Sequence, residues 1–452
     1  MSEHLLKDVA ARATRYLDDV TQRDVFPSPA ALRDLQGFSV ELQDESIDPA
    51  KVLAELDTLG APATVACTGG RYFGFVTGGA LPAALAANML AAAWDQNGGL
   101  EIQSPLAAHL EKVCRDWLIP LLGLPAQTEV GFVTGATMAN FTGLAAARHA
   151  VLRAHGWDVE AQGLFGAPPI TVVVGNEVHV SVLKGLGMLG LGRERVVRVP
   201  VDGHGRMIAA QLPAIDGPTI VCAQAGNVNT GAFDPIGEIV ARLRGTGAWI
   251  HVDGAFGLWA AASPQKRALT SGIDLADSLA TDAHKWLNVP YDSGLVFVRE
   301  RRALNAAMSA SAAYLIEGQS RDPHLFVPEM SRRARAIEVW AALRSLGRRG
   351  LAEMIERNCR HAARFASELR KAGYQVLNDV ELNQVLVSFG TPEATRRVIA
   401  AIQQDRTCWC GGTSWQGNIA MRISVSSWAT TDADVARSIE AILRCARDAQ
   451  RA

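Results

Sequence analysis

The chain lacks the features that direct a protein to nucleic acid, to anionic membranes or to secretion. Its formal net charge is only −2, and its acidic and basic residues are interspersed without a basic stripe or tail. Residues 1–4 lack the order of charged and then apolar residues that begins a signal peptide. We therefore predict a soluble, cytoplasmic protein with no nucleic-acid partner.

A long apolar run that could span a bilayer is also missing. Residues 72–94 carry no charge, but they are rich in alanine and are interrupted by glycine, proline and asparagine. Such a stretch is too weakly apolar to cross a membrane. We predict instead a loop followed by a buried helix, and no membrane partner.

Cysteines are few and scattered. There are seven, an odd number, so we expect reduced thiols that lie mostly in the core. Cys408 and Cys410 form the only close pair, and no second pair or nearby histidine completes a zinc site. We therefore predict no metal.

What is present is enough apolar material for a large core. With 452 residues, 48% of them hydrophobic, the chain can form more than one domain. Between about residues 130 and 299, short β-branched runs alternate with helical segments, which predicts a mainly parallel sheet covered on both faces. Pro235 and Gly245 bracket a predicted helix over residues 236–243. The predicted strand runs are residues 170–174, 196–201, 219–223, 249–252 and 295–298.

The two ends of the chain have different patterns. The N-terminal residues predict helices joined by a proline-containing linker, and residues 331–371 predict one long helix that Gly373 ends. Further strand and helix patterns follow, as in a small α+β domain. We predict an N-terminal helical arm over residues 1–69, a large domain over residues 70–330 and a small C-terminal domain over residues 331–452.

The most informative stretch is residues 281–288, in which Lys285 ends an apolar run beside His284. Asp253 closes a predicted buried strand about thirty residues earlier. Singly these signals are weak, because most lysines are solvated and an aspartate at a strand end is commonly a cap or turn residue. Together they match the two electronic contacts of pyridoxal 5′-phosphate (PLP), which are a lysine Schiff base and a carboxylate at the ring nitrogen.

The surrounding residues carry a family resemblance. Residues 252–257 and 284–294 resemble the group II PLP-dependent amino-acid decarboxylases, which include the aromatic amino-acid, glutamate and tyrosine decarboxylases. The resemblance runs from about Phe26 to the C-terminus. It implies an α/β fold of type I, like aspartate aminotransferase, with a mainly parallel seven-stranded sheet in the large domain and a small α+β domain. It also implies a homodimer with shared active sites and an exchanged N-terminal arm.

A turn at residues 133–140 is the predicted phosphate site. Alone it would be an ordinary strand, turn and helix with a threonine cap. The resemblance places the family's phosphate cradle here, where Gly135 and Ala136 supply backbone and Thr137 a hydroxyl at a helix N-terminus. It also implies that His284 contacts the phosphate and that Ala255 belongs to the cofactor site.

Two further cofactor contacts follow from the resemblance. His179 follows a predicted strand, where a histidine is usually a structural group, but the family has a histidine there that stacks on the pyridine ring. The family commonly has a threonine contact where this chain has Val228 by ungapped count. That hydrogen bond is therefore either missing or supplied by Asn227.

Substrate contacts are predicted at two positions. Arg422 lies in an otherwise largely apolar strand pattern, so it needs an anionic partner, either a structural aspartate or the substrate carboxylate. Phe73 lies where relatives have aromatic residues lining the substrate pocket, although core packing explains it almost as well.

One family feature is absent. The family's loop tyrosine, which delivers a proton to the substrate α-carbon from the neighbouring subunit, has no counterpart in residues 317–330, and Tyr314 comes too early. His324 is nearest to the expected place, so we treat it as a catalytic candidate. We predict an amino-acid α-decarboxylase. The alternatives are a decarboxylation-dependent aldehyde synthase, a transaminase, a carbon–carbon lyase or a non-catalytic binding protein.

Overall fold

The computed structural model describes residues 2–309 and 321–451, in which helices and strands alternate as predicted for an α/β protein. The α-helices are α1 Ser2–Asp19, α2 Pro29–Asp34, α3 Pro49–Ala63, α4 Pro82–Trp94, α5 Pro105–Leu122, α6 Ala136–Arg153, α7 Val159–Gln162, α8 Val180–Met188, α9 Ile236–Leu243, α10 Arg301–Met308, α11 Ala336–Lys371, α12 Pro392–Asp405 and α13 Asp432–Arg451. The strands are β1 Glu129–Val133, β2 Thr171–Gly175, β3 Val196–Val199, β4 Thr219–Gln224, β5 Trp249–Asp253, β6 Ser278–Asp282, β7 Gly294–Val298, β8 Gln375–Val376, β9 Gln384–Ser388, β10 Gly411–Trp415 and β11 Asn418–Ser424.

The chain divides into two compact units, and each is built from separate stretches. Unit 1 contains Met1–Gly79, Ala363–Leu377 and Val385–Ala452. Unit 2 contains Ala80–Ala362 and Asn378–Gln384. The three-domain boundaries given above stay a prediction.

Unit 2 is organised around the predicted seven-stranded sheet, whose strand order is β1-β7-β6-β5-β4-β2-β3. The strands from β3 to β6 pair in parallel, and β7 runs antiparallel to both β6 and β1. Strands β1, β4, β5, β6 and β7 are buried along their whole length, as strands of a sheet covered on both faces should be. Helix α6 packs on this sheet through an apolar core rich in alanine and valine.

The proline and glycine signals predicted helix boundaries with unequal accuracy. Helix α9 begins directly after Pro235 and ends at Leu243, as predicted. The long C-terminal helix begins at Ala336, five residues later than predicted, and it is broken at Gly347, where φ is 60°. A positive φ is accessible to glycine at little cost, so one glycine interrupts a pattern that is otherwise continuous.

The prediction of a buried helix within residues 72–94 was wrong in its burial. Helix α4 forms there, but Ala84 is its only buried residue, and Met89, Leu90 and Trp94 are each about half exposed. Because alanine covers most of this helix, its sequence carries no distinct apolar face from which burial could be inferred.

Unit 1 contains a four-stranded sheet of order β10-β11-β9-β8 together with helices α12 and α13. The guanidinium of Arg71 is buried in this unit. It donates hydrogen bonds to the carbonyls of Thr407, Thr21 and Arg23, and it lies 3.7 Å from Asp434. Across both described ranges, no helix combines the length and the apolarity needed to span a bilayer.

Candidate active site

The candidate site lies in unit 2, at the edge of the sheet where the parallel strands end. Ligand sites of open α/β sheets occur at this edge. Asp253 is the last residue of β5 and Asp282 is the last residue of β6. Lys285 and His284 follow β6 directly, and the turn between β1 and α6 contains Gly135.

The turn before α6 forms a compact cradle. Gly135 caps the helix, and a Cβ added there would lie 3.0 Å from Cε1 of His284. A Cβ added at Gly294 would lie 2.4 Å from Cα of Gly135, so the backbones of β7 and this turn meet closely. The first amide groups of an α-helix have no partner within the helix and are therefore available to an anion.

Asp282 is the centre of a second group of contacts. Its Oδ2 lies 2.9 Å from Nζ of Lys285. Its Oδ1 accepts a hydrogen bond of 2.5 Å from the amide of Ala136 and lies 3.2 Å from Nε2 of His284. A single buried carboxylate therefore links the lysine, the histidine and the start of α6.

His284 is held from both sides. The amide of Ser293 donates to its Nδ1 over 3.1 Å, and its ring packs on Tyr291 with centroids 4.4 Å apart. Burial lowers the pKa of His284, although the nearby Asp282 opposes that shift. The neutral ring must therefore carry its proton on Nε2, which points to Asp282.

Asp253 has different surroundings, because its charge is met only by neutral groups. Its Oδ2 accepts from Nδ2 of Asn140 over 3.1 Å and lies 3.4 Å from Oγ of Ser181. Its Oδ1 accepts from the amide of Ala255 over 3.1 Å. In residues 2–309 and 321–451 no cationic side chain pairs with this buried carboxylate.

His179 is connected to Asp253 through Ser181. The Ser181 amide donates to Nδ1 of His179 over 3.2 Å, and Oγ of Ser181 lies 2.7 Å from the same nitrogen. These contacts fix the orientation of the imidazole. His179 and Asp253 also line one cavity with Asp234, whose pKa is raised to about 6 by burial.

The side chain of Asn227 forms hydrogen bonds within the loop that follows β4. Its Oδ1 accepts from the amides of Asn229 and Thr230, over 2.8 and 3.2 Å, and its Nδ2 donates to Gln224 over 3.1 Å. The side chain therefore stabilises the loop after β4, and its contact with a cofactor stays a prediction. Thr137 lies partly buried in the first turn of α6.

His324 is buried. It belongs to a short 3₁₀ turn, Pro323–Phe326, with 6% of its surface exposed. Its amide donates to the carbonyl of Gly99 over 3.0 Å, and its Nδ1 has no hydrogen-bond partner among the described residues. Tyr314 and residues 317–320 lie outside the described residues.

The two candidate substrate residues belong to unit 1. Phe73 is buried and packs edge-on against Phe365 with centroids 5.1 Å apart, which is the core packing considered above. Arg422 lies on β11, and burial lowers its pKa, while the nearby Tyr72 opposes the shift. Their roles toward a substrate stay predictions.

The unit 2 residues fit pyridoxal 5′-phosphate. A lysine amine with 19% of its side chain exposed can reach an aldehyde. The start of α6 offers amide donors and a glycine cradle for a phosphate. Asp253 supplies a buried negative charge that lacks a cation, as a protonated ring nitrogen requires.

Sequence reasoning missed three members of this arrangement, which are Asn140, Ser181 and Asp282. Each acts through contacts with residues distant in the chain or through a neighbour that no spacing rule identifies. Asp282 left the clearest signal, because an acid three residues before a candidate lysine can pair with it.

Comparisons with known proteins agree with this geometry. The family profile described as the pyridoxal-dependent decarboxylase conserved domain matches residues 33–391. The aromatic-L-amino-acid decarboxylase of Bacillus atrophaeus is 30% identical over 313 residues, which cover 66% of this chain and 61% of that protein. The histidine decarboxylase of Drosophila melanogaster is 27% identical, over 95% of this chain and 53% of that protein. The chain thus spans less than two thirds of the length of these two relatives.

Solved structures show the same fold. Oryza sativa TDC, solved with PLP and tryptamine, matches with a TM-score of 0.88 and 22% identity, covering 99% of this chain and 97% of that one. Mouse CSAD matches with a TM-score of 0.90 and 22% identity, covering 98% of both chains. Rhodiola rosea 4-hydroxyphenylacetaldehyde synthase matches with a TM-score of 0.85 and 21% identity, covering 99% of this chain and 98% of that one.

Proposed function

Because the chain belongs to the pyridoxal-dependent decarboxylase family, we propose that it removes the α-carboxylate of an amino acid and releases the amine. The observation that carries this proposal is the pairing of two groups at one sheet edge. Lys285 supplies a reachable amine, and Asp253 supplies a buried carboxylate that is bonded only to neutral donors. This is the combination that PLP chemistry at a substrate α-carbon requires.

Each residue has a proposed task. Bound PLP supplies an electron sink for the pair of electrons left at the α-carbon when carbon dioxide departs. Lys285 would hold the cofactor aldehyde through Nζ, and Asp253 would keep a proton on the ring nitrogen. His179 would cover one face of the bound ring and leave the other face to the substrate.

The phosphate is held at the start of α6. Gly135 and Ala136 contribute backbone, Thr137 contributes its hydroxyl, and His284 contributes Nε2–H. The Ala136 amide and His284 Nε2 also contact the Asp282 carboxylate, so a phosphate bound here would share these two donors with Asp282. Asn227 and Ala255 complete the proposed set, with Ala255 acting through its amide bond to Asp253.

The bond that breaks is selected by how the substrate is held. Arg422, for its carboxylate, and Phe73, for its side chain, stay the predicted substrate contacts, and both belong to unit 1. A carboxylate placed perpendicular to the cofactor ring in an apolar slot is lost most readily, because losing its charge there is favourable. The relatives' names span aromatic, acidic and imidazole side chains, so the side-chain class of the substrate must be tested with a panel.

A second outcome, oxidative conversion to an aldehyde, is favoured by one observation. Residues 317–330 contain no tyrosine that could return a proton to the α-carbon. We propose that His324 fills this role, because it is buried and its Nδ1 has no partner among the described residues. Without such a donor, oxygen would intercept the carbanion and give aldehyde, ammonia and peroxide.

We also propose a homodimer in which each site takes residues from both chains. Several apolar residues of the N-terminal arm are exposed in the single chain, as is one face of α4. Exposed apolar side chains are the kind of surface that a protein interface covers. The proposed arm residues are Leu32, Leu35, Phe38, Val40, Leu42, Ile47, Val52 and Leu56.

The function is tested by incubating the purified protein and PLP with a panel of carboxyl-labelled amino acids. Labelled carbon dioxide with an equal amount of amine supports decarboxylation, whereas aldehyde with peroxide supports the oxidative outcome. A keto acid, a retro-aldol product or no product at all would refute both. In the variant His324→Phe, the ratio of aldehyde to amine should rise, and an unchanged ratio would remove His324 from the mechanism.

The attachment site is tested by borohydride reduction of the loaded protein. We expect the label on the peptide that contains Lys285. Lys184 and Lys266 are internal controls, because both are lysines of unit 2 and Lys266 is bonded to the carbonyl of Glu381 over 2.7 Å. A label on either control would contradict the assignment.

A further inference from the structure

A line of hydrogen bonds lies behind the candidate site and reaches Asp253 from the protein interior. Trp249, His251 and Asp253 alternate along β5, so their side chains share one face of the sheet. That face meets helix α6 at Asn140 and Gly143. A Cβ added at Gly143 would lie 2.9 Å from Cε1 of His251, so a glycine at this position lets the helix lie against the imidazole.

The bonds have a single consistent direction. Nε1–H of Trp249 can only donate, and it donates to Oγ of Ser278 over 2.8 Å. The Ser278 hydroxyl is therefore free to donate its own proton to Nδ1 of His251, 2.8 Å away. Nδ1 is then an acceptor, and the proton of a neutral imidazole must be on Nε2.

Nε2–H of His251 points to Oδ1 of Asn140 at 2.8 Å. With its oxygen so occupied, Asn140 presents its NH₂ group to Oδ2 of Asp253 at 3.1 Å and to Oγ of Ser181 at 3.1 Å. His251 is fully buried, and that burial lowers its pKa to about 4, although Asp253 opposes the shift. The imidazole is therefore neutral at physiological pH, as this direction of bonding requires.

Two of these partners decide which way the Asn140 amide faces, namely the Asp253 carboxylate, which only accepts, and the Nε2–H of His251, which only donates. Ser181 cannot, because a hydroxyl either donates or accepts and suits both orientations of the amide. If the amide turned over, its oxygen would face the carboxylate oxygen of Asp253, and two acceptors would be buried against each other. The Nε2–H of His251 adds to this penalty, because it would then face the NH₂ group of the turned amide, so two donors would also be buried against each other.

We propose that His251 is a positioning residue, which fixes the Asn140 amide so that an N–H group always faces Asp253. The proposal rests on the proposed function in one respect, because Asp253 is taken to face the ring nitrogen of PLP. A carboxylate held by this N–H keeps its charge and its place, and so keeps the ring nitrogen protonated. His251 acts on the cofactor only through Asn140 and Asp253.

The first experiment compares three single variants of the loaded protein. In His251→Phe, kcat should fall about tenfold with KM unchanged within twofold, since loss of a supporting contact typically costs this much. The pH midpoint of the visible absorbance of the bound cofactor should also move by about one unit. His251→Gln, whose amide can still donate to Asn140, should restore most of both properties. His361→Phe is the matched control, because His361 is similarly buried in unit 2, and it should alter neither.

A merely structural histidine would give another pattern. Then His251→Phe would lower thermal stability as His361→Phe does and would leave the absorbance midpoint in place, which would overturn the proposal. The variant Asn140→Ala sharpens the comparison. In that background, His251→Phe should produce no further shift, because the residue through which it acts is gone. An additive second shift would contradict the assigned route.

The last measurement needs neither a substrate nor a variant that folds. Nitrogen NMR of the parent protein, labelled only in histidine and free of cofactor, should show His251 as a neutral ring protonated on Nε2 at pH 7. A ring protonated on Nδ1, or on both nitrogens, would refute the proposal. This result is independent of the product panel, so a protein that decarboxylates nothing could still confirm or refute the hydrogen-bond direction.

Discussion

At the scale of single residues, two carboxylates end neighbouring strands and have opposite surroundings. Asp282 contacts the ammonium of Lys285, whereas Asp253 receives only neutral N–H and O–H groups. The first is already neutralised by the protein itself. No cationic side chain of the described residues pairs with the second, so a bound cationic group can complement its charge. The same residue type therefore has two different tasks, and its neighbours decide which.

We predict that Asp253→Asn lowers kcat by an amount equivalent to about 2–4 kcal/mol, the usual loss when a key electrostatic group is removed. An amide cannot hold a proton on the ring nitrogen, so the ring would accept the electrons left at the α-carbon less readily and bond cleavage should slow. The measurement is steady-state kinetics with the best substrate of the panel. Asp277→Asn is the control, because Asp277 is also a mostly buried carboxylate and accepts from the amide of Ile250. It should cost stability but not kcat, and equal losses of kcat in the two variants would refute the assignment.

The residues with reactive groups were the ones that could be predicted from the sequence. Lys285, Asp253 and His179 stand in short sequence motifs that indicate their chemistry. In the structure, all three follow or end strands at the same edge of the unit 2 sheet. Their functional roles stay predictions. Asn140 and Ser181 could not be found this way, because they matter only through contacts with residues far along the chain.

At the scale of elements, the site depends on how closely β7 approaches the turn before α6. The Cβ that an alanine would bring to position 294 would lie within 2.7 Å of three backbone atoms of Gly135. Backbone cannot move aside as a flexible side chain can. The geometry of the phosphate cradle is therefore set by two glycines, one on each element.

Gly294→Ala should weaken PLP binding at least tenfold, because the added methyl group must displace the turn that holds the phosphate. Fluorescence titration of the cofactor-free protein measures the affinity, and far-UV circular dichroism checks that the fold is kept. Gly187→Ala is the matched control, since a Cβ there meets nothing within 4 Å. As a helical substitution it should raise stability by roughly 0.5–1 kcal/mol and leave PLP affinity unchanged. Equal affinities in both variants would contradict the cradle.

Element prediction succeeded where local signals agree with burial. The five predicted strand runs overlap β2, β3, β4, β5 and β7, although the second run extends two residues beyond β3. Strand β6 was not found as a run, because Ser278, Thr281 and Asp282 interrupt its apolar pattern, yet its whole length is buried through tertiary contacts. The break in α11 was also missed, because the sequence pattern around Gly347 does not show that this glycine has a positive φ.

At the scale of the whole molecule, a single chain leaves much apolar surface uncovered. Leu42 is 92% exposed, Val40 70% and Leu56 57%, all within the N-terminal arm. Ile102, in unit 2, is 82% exposed. These residues support the proposed homodimer, because burying them against a second copy would remove them from water.

The double variant Leu42→Glu and Leu56→Glu should weaken self-association at least tenfold, because each charge would have to be buried in the proposed interface. Sedimentation velocity across a dilution series measures the dissociation constant, and specific activity should fall in step with the dimer. Phe165→Glu is the control, because Phe165 is 99% exposed but lies outside the arm and α4. A parent protein that is monomeric and fully active at nanomolar concentration would refute the dimer.

The division of unit 1 among three stretches sets the order in which the protein can be completed during synthesis. Residues up to Gly79 are synthesised before unit 2, but the remainder of their unit, Ala363–Leu377 and Val385–Ala452, is synthesised after most of unit 2. The guanidinium of Arg71, for example, can form its hydrogen bond to the carbonyl of Thr407 only after Thr407 has been synthesised. Unit 2, continuous from Ala80 to Ala362 apart from one short return, can condense in between. Truncation of the chain after unit 2 would therefore leave the N-terminal stretch of unit 1 without the partners that its C-terminal stretch supplies.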